Sequence, residues 1–298
     1  MAGLVGCAGA VALSGQQTPA PAPMRVEQVR DNLYVLRGPF NPCAPNGCGP
    51  GSVDDGLLHE AGDVAVLVTS EGVILVDDKF TQHVPEIMDK VRGLTTQPVK
   101  YLLNTHHHMD HAGGNEAMVA VTEIIAHRNV RENFLRNKQP GAPRVVFTDQ
   151  ASVHLGGVEV QARYLGRGHT NGDAVIYFPS LRVVHTGDLV IDGMPVIDYN
   201  NGGSALEYED TLDNLLQLDF DIVIPGHGRL LTKDDVRAYK PKLGTMNRRM
   251  SELIATGVPK DQVADRLQLD DLGWAHTVST GTFMAGITRY YDELAAAR

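Results

Sequence analysis

The chain has 298 residues, of which 43% are hydrophobic and 21% are charged, a composition typical of a globular protein. Its formal net charge is −10 and it has no basic run, which argues against a nucleic-acid partner because phosphate binding needs a cationic surface. Three cysteines are too few for a disulfide scaffold. Beyond the N-terminal leader, no segment approaches the roughly 20 apolar residues of a membrane span.

The N-terminal leader, residues 1–23, begins with an apolar run of small residues and continues as a proline-rich polar stretch. This pattern is typical of an export signal followed by a linker and predicts a periplasmic or otherwise exported protein, with a disordered cytoplasmic leader as the alternative. Residues 4–7 resemble a bacterial lipobox, which would place a lipid anchor on Cys7. In an oxidising compartment we expect Cys43 and Cys48 to pair across the turn-forming stretch between them.

Residues 24–298 are predicted to form one domain with a helical C-terminal part. Short apolar runs bounded by turn residues predict strands at 32–36, 63–68, 73–76, 99–103, 158–164, 174–178, 182–184 and 222–224. Helices are predicted at 85–92, 115–119, 128–137, 204–218, 233–255, 260–266 and 282–297, with Ser204 capping the fourth of them. Alternating strands and helices predict an α/β or α+β layered fold.

The first candidate site follows the predicted strand at 99–103 directly, in the sequence NTHHHMDH at residues 104–111. Taken as H-x-H-x-D-H, this segment supplies His106, His108, Asp110 and His111. Imidazole and carboxylate are the ligands that zinc prefers when no thiolate is present. Four ligands this close are too crowded for one tetrahedral ion with an open position, so the motif predicts two adjacent ions.

Further candidate ligands lie just past three other predicted strands, each beside a glycine: His169, Asp188 and His227. Asp77 follows the strand at 73–76 in the same way. Glycine lets the backbone pass close to a crowded site, and loops at the C-terminal edge of strands commonly gather function.

The order of these residues, Asp77 followed by H-x-H-x-D-H and then by His169, Asp188 and His227, resembles the metallo-β-lactamase-fold superfamily of metallo-hydrolases. The resemblance spans about residues 60–230. It implies an α+β fold, an αββα sandwich of two mixed β-sheets flanked by helices. It also implies two zinc ions per chain, one held by His106, His108 and His169 and the other by Asp110, His111 and His227.

In the same picture Asp188 bridges the two ions, and Asp110 contacts and orients the attacking hydroxide as the catalytic residue. The superfamily's β-lactamases with a thiolate at the bridging position differ from this chain. Its aspartate is similar to that of the glyoxalase-II, lactonase and sulfatase-type branches. In this family an insert such as residues 41–51 can overhang the site; an inert surface loop is the alternative.

Other polar residues near the motif are expected to play supporting parts. We expect His107 to point away from the metals and His185 to be buried and hydrogen-bonded. Asp77 is expected to orient a metal-bound histidine, as carboxylates beside metal sites commonly do. Residues 200–204 either line the substrate pocket or cap the next helix.

The predicted function is that of a dinuclear zinc hydrolase acting on a small-molecule lactam, lactone, thioester or other ester-type substrate. Zinc lowers the pKa of bound water to about 7, so a metal-bridging hydroxide exists at neutral pH. The alternative is an oxidoreductase of the same fold, similar to mononuclear iron sulfur dioxygenases. A di-iron reductase is disfavoured, because that type usually has glutamate where this chain has His108. The complete ligand set argues against a non-catalytic metal-binding protein.

Overall fold

The computed structural model describes residues 23–38, 61–274 and 280–298. Most of the leader, all three cysteines and the insert at 41–51 therefore lie outside the described residues, as do the predictions made for them. The strands are β1 Arg25–Arg30, β2 Leu33–Arg37, β3 Val64–Val68, β4 Val73–Val76, β5 Val99–Leu103, β6 Glu123–His127, β7 Val145–Phe147, β8 Gln150–Leu155, β9 Val158–Tyr164, β10 Ala174–Phe178, β11 Val183–Gly187, β12 Ile222–Pro225 and β13 Leu231–Thr232. The helices are α1 Val84–Leu94, α2 Met109–Ala112, α3 Asn115–Met118, α4 Arg128–Arg136, α5 Ala205–Leu216, α6 Lys233–Ala255, α7 Val263–Arg266 and α8 Thr280–Ala296.

Two mixed sheets form from these strands within the described residues. The first sheet follows chain order from β1 to β7, antiparallel as far as β4 and parallel from β4 to β7. The second sheet has the order β13-β12-β11-β10-β9-β8, with β11 and β12 parallel and the other pairs antiparallel. All four residues of β4 and all five of β10 are buried, as expected for strands covered on both faces.

The two sheets pack face to face, and helices cover their outer faces. Ile74 of β4 and Ile176 of β10 belong to one apolar cluster that fills the space between the sheets. Helix α1 buries Ile87 against the outer face of the first sheet, in a cluster with Leu75. On the other side, α5 and α6 pack against the second sheet, where Leu212 joins the third large cluster. The molecule is therefore an αββα sandwich, which confirms the predicted α+β fold.

Five strands were not predicted from the sequence: β1, β6, β7, β8 and β13. Strand β1 (RVEQVR) lies at a sheet edge and is mostly exposed, and β7 has only three residues. Strand β8 carries polar residues along an exposed edge, and β6 is a short apolar run after a tight turn. The C-terminal helices lie close to their predicted ranges. None of the helices among the described residues is long and apolar enough to cross a membrane.

Candidate metal centre

All seven predicted metal ligands meet at one edge of the sandwich, just past the ends of four strands. The segment after β5 carries four of them, two in the loop and two on the first turn of α2, while β9, β11 and β12 each lead into one more. Their donor atoms form two groups, within each of which all atoms lie within 4.8 Å of one another. One group consists of His106, His108, His169 and Asp188, and the other of Asp110, His111 and His227.

Asp188 lies between the two groups and faces both. Its Oδ1 is 3.0 Å from His111 Nε2 and 3.4 Å from His227 Nε2, while its Oδ2 is 3.6 Å from His169 Nε2. Oδ1 is buried and accepts no hydrogen bond from the described residues. A carboxylate with each oxygen turned to a different donor group has the arrangement needed to bind two cations at once.

Glycines allow the backbone to come this close to the centre. A Cβ added to Gly226 would lie 1.9 Å from Asp188 Oδ1, and one on Gly62 would lie 2.2 Å from His111 Cε1. Gly187 has φ +50°, and a Cβ there would lie 2.4 Å from the hydroxyl oxygen of Thr105. Any larger residue at these positions would displace a donor or its support.

Hydrogen bonds fix which nitrogen of the first-group histidines faces the centre. The Thr105 hydroxyl donates to Asp77 Oδ2 at 2.7 Å, so its oxygen is left to accept from His106 Nδ1 at 3.1 Å. His169 Nδ1 donates to a backbone carbonyl at 2.8 Å. Each of these rings therefore turns the lone pair of Nε2 towards His108 Nδ1, at 3.2 and 2.9 Å respectively. Because lone pairs that converge on one point repel each other, the arrangement is suited to a cation.

In the second group, too, the donor atoms converge on one point. His111 Nδ1 lies 2.9 Å from Asp77 Oδ2, and its Nε2 lies 3.2 Å from His227 Nε2. His227 Nε2 in turn lies 3.1 Å from Asp110 Oδ2. Burial lowers the pKa of His111, but Asp188 and Asp110 outweigh it and raise that pKa well above its ordinary value. The carboxylates thus favour a positive charge at this point, which a metal ion would supply. Imidazole and carboxylate donors in this number fit zinc.

Electrostatics set the charge of the remaining donors. Burial lowers the pKa of His169 to about 4, so its ring is neutral at neutral pH and able to bind a metal. Burial raises the pKa of Asp110, but His111 and His227 outweigh this effect and hold it below its ordinary value. Asp110 is therefore ionised.

Two further histidines that the sequence singled out lie outside both groups. His107 is buried, with Nδ1 3.4 Å from Asn133 Nδ2, and burial lowers its pKa to about 3. Together with His108 and Asp198, however, His107 forms a third group of neighbouring donors. His185 is buried, and its Nε2 donates to the Asp63 carbonyl at 3.0 Å, as expected for a structural histidine.

Sequence reasoning missed Asp198, whose Oδ2 lies 2.9 Å from His108 Nε2. It lies in the irregular segment between β11 and α5, where no strand end or motif marks it. In the neighbouring stretch Ser204 does cap α5, accepting from the Glu207 backbone nitrogen at 3.1 Å. Asn201 neither lines the two donor groups nor caps the helix, but contacts Asp198.

Comparison with known proteins identifies the family of this chain. Residues 60–227 match the family model of the metallo-beta-lactamase superfamily. The chain belongs to this superfamily. It is 28% identical over 188 residues to the metallo-beta-lactamase type 2 of Elizabethkingia meningoseptica, covering 60% of this chain and 66% of that protein. It is also 29% identical over 146 residues to the 2,4-dinitroanisole O-demethylase subunit alpha of a Nocardioides strain, covering 48% of this chain and 44% of that one.

In these two relatives the matched region is thus less than two-thirds of their own length. Among solved structures, a metallo-beta-lactamase from Pontibacter korlensis superposes with a TM-score of 0.61 at 19% identity. That superposition covers 74% of this chain and 99% of the other. The superfamily fold is therefore shared at low sequence identity.

Proposed function

We propose that this superfamily member is a dinuclear zinc hydrolase. The observation that carries the proposal is the position of Asp188, whose two oxygens face two separate groups of imidazole and carboxylate donors. His106, His108 and His169 would hold one ion, and Asp110, His111 and His227 the other. Zinc bound there would lower the pKa of water to about 7 and polarise the bond under attack.

Access to the centre comes from one side. The side chains of His108 and Asp110 are 28% and 23% exposed, whereas those of His106, His111, His169 and His227 are almost completely buried. A substrate would therefore approach over His108 and Asp110. The strand ends and buried histidines behind them exclude water from the other side.

Asp110 is the residue we assign to proton transfer. Its carboxylate is ionised and partly exposed on the accessible side, while Oδ2 lies 3.1 Å from His227 Nε2. A carboxylate in this position can accept a proton from the attacking water and pass it to the leaving group.

The substrate class we propose is a small molecule with a lactam, lactone, thioester or other ester-type bond. The superfamily relatives carry the names of a β-lactamase and of an aryl ether O-demethylase, so a screen should include lactams and an aryl methyl ether. Zinc is proposed over iron because nothing in the donor set requires a redox metal, although histidine and carboxylate donors can also bind iron.

The test is a hydrolysis screen over lactams, lactones, thioesters, phosphoesters and an aryl methyl ether, run with and without a chelator. We expect turnover of at least one class, loss of turnover on chelation, and its recovery when zinc is added. Turnover that survives complete metal removal would contradict the proposal. Recovery with ferrous iron and oxygen, but not with zinc, would move the protein to the oxidoreductase alternative.

A further inference from the structure

The carboxylate of Asp198 is saturated by hydrogen bonds behind the first donor group. Oδ1 accepts from the backbone nitrogens of Asn200 and Asn201, at 3.0 and 3.2 Å. Oδ2 accepts from the Asn201 side-chain amide and lies 2.9 Å from His108 Nε2. The Asp198 backbone nitrogen donates to the His169 carbonyl at 2.8 Å, which fixes this residue to the loop of another donor.

These contacts determine the state of the His108 ring. Three N–H groups already donate to Asp198, so the carboxylate is the acceptor in all its contacts and His108 must donate from Nε2. When the ring is neutral, the lone pair is then on Nδ1, the atom that faces His106 Nε2 and His169 Nε2. His108 thus differs from those two rings, which turn Nε2 towards the centre.

The same contacts engage the atoms that a metal would need in the third group of donors. Binding there would require a lone pair on His108 Nε2 and a free oxygen on Asp198, and hydrogen bonds occupy both. His107 Nε2 is also 4.0 Å from Asp198 Oδ2, beyond hydrogen-bond distance. The group of His107, His108 and Asp198 is therefore a support for the centre and not a separate site.

Residues at the surface of the molecule hold Asp198 in place. The Asn201 side-chain oxygen accepts from an Arg136 guanidinium nitrogen at 2.6 Å. The same nitrogen contacts Asn133 Oδ1 at 2.6 Å, within helix α4. A continuous set of contacts thus joins an exposed arginine, through Asn201 and Asp198, to His108.

We propose that Asp198 is a positioning residue that holds His108 with Nδ1 towards the metal centre, and that Asn201 and Arg136 hold Asp198 in turn. The proposal rests on the proposed function only in that His108 is taken as a metal ligand. Removing such a supporting carboxylate typically lowers metal affinity 10- to 100-fold.

The experiment combines two measurements on the full chain. Nitrogen-15 NMR of the metal-free protein, recorded at a pH high enough for the His108 ring to be neutral, reports the tautomer of that ring, and chelator competition reports the zinc affinity of the protein. We expect wild type to show His108 protonated on Nε2 only. Asp198→Ala should show mixed tautomers and a zinc affinity about 10- to 100-fold lower. Asp198→Asn retains an acceptor oxygen and should lose less, and Asn201→Ala, which leaves the carboxylate and its contact with His108 in place, should also lose less than Asp198→Ala.

Asp192→Ala is the matched control. Asp192 is another buried carboxylate on the segment after Asp188, but its side chain contacts Arg229 at 3.5 Å, and its backbone hydrogen bond to the His227 carbonyl survives the substitution, so the loss of the side chain should change neither measurement. An Asp198→Ala protein with the wild-type tautomer, or with a zinc affinity within about twofold of wild type, would overturn the proposal. If Asp198→Ala does not fold by circular dichroism, Asp198→Asn and Asn201→Ala decide the question. A wild type that binds no zinc would refute the proposed function, while the tautomer would still test the role of Asp198.

Discussion

Asp77 Oδ2 lies 2.9 Å from His111 Nδ1, in the fully buried space beneath the second donor group. The same carboxylate accepts from the Thr105 backbone nitrogen at 2.8 Å and from its hydroxyl at 2.7 Å. Since the Thr105 hydroxyl in turn accepts from His106, one carboxylate supports a donor in each group.

Asp77→Ala should therefore weaken both halves of the centre. We expect zinc affinity to fall about 10- to 100-fold, because His111 loses its hydrogen-bond acceptor and Thr105 is released. Chelator competition on the purified variant measures this. Asp78→Asn is the control, because the Asp78 side chain accepts from the Gly114 backbone nitrogen at 3.0 Å, while its hydrogen bond to the His111 carbonyl comes from the backbone and survives the substitution. Equal zinc affinity in Asp77→Ala and wild type would show that Asp77 does not support the metals.

Gly62→Ala should disturb the second donor group by contact alone. The added methyl group would lie 2.2 Å from His111 Cε1, so the ring must move and zinc affinity and turnover should both fall. Gly93→Ala adds the same methyl group on helix α1, where nothing lies within 4 Å, and should leave zinc binding unchanged. The idea fails if the two variants bind zinc equally well.

The buried ring of His185 should make the free energy of unfolding depend on pH. Burial lowers its pKa from 6.5 to about 4 in the folded chain, so the unfolded chain binds the proton more readily. The stabilising contribution is therefore complete above pH 6.5 and is lost as the pH falls towards 4, at up to about 1.4 kcal/mol for each pH unit. His185→Gln should lose less stability than wild type between pH 7 and 5 in urea unfolding. Replacing the exposed His154 should leave the pH dependence of the unfolding free energy unchanged. If His185→Gln shows the same pH dependence as wild type, burial of a neutral His185 ring is not its cause.

The parts of the fold that the sequence predicted are those with strong local patterns. Strands such as Val99–Leu103 and Val158–Tyr164 are apolar runs between turn residues, and α6 has a capping box at Thr232. Edge strands such as β1 and β8 are held by pairing with a neighbour and not by their own apolar residues, so their sequences contain little signal.

The candidate site also contains residues that a local sequence pattern marks and residues that it does not. The seven proposed ligands could be listed from the sequence because each follows a strand and most stand beside a glycine or inside the histidine motif. Asp198 could not, because its contact with His108 joins residues 90 positions apart through an irregular segment. Nor did any local pattern show that Arg136 contacts Asn201, 65 residues further along the chain.

His107→Ala and Asp188→Ala together separate a supporting histidine from a bridging ligand. His107 lies inside the motif but outside both groups of metal donors, so its loss should leave metal content nearly intact. Asp188→Ala would leave three protein ligands for each ion and would remove the charge that offsets their repulsion. We expect it to lose at least one ion and most turnover while keeping the fold, since the sheets are held by their own apolar clusters.

Elemental analysis of the purified full chain tests the dinuclear zinc centre most directly. The position of Asp188 between the two donor groups predicts close to two zinc ions per chain in wild type and a clear deficit in Asp188→Ala. One iron ion and no zinc in wild type, or two zinc ions retained in Asp188→Ala with full turnover, would contradict it.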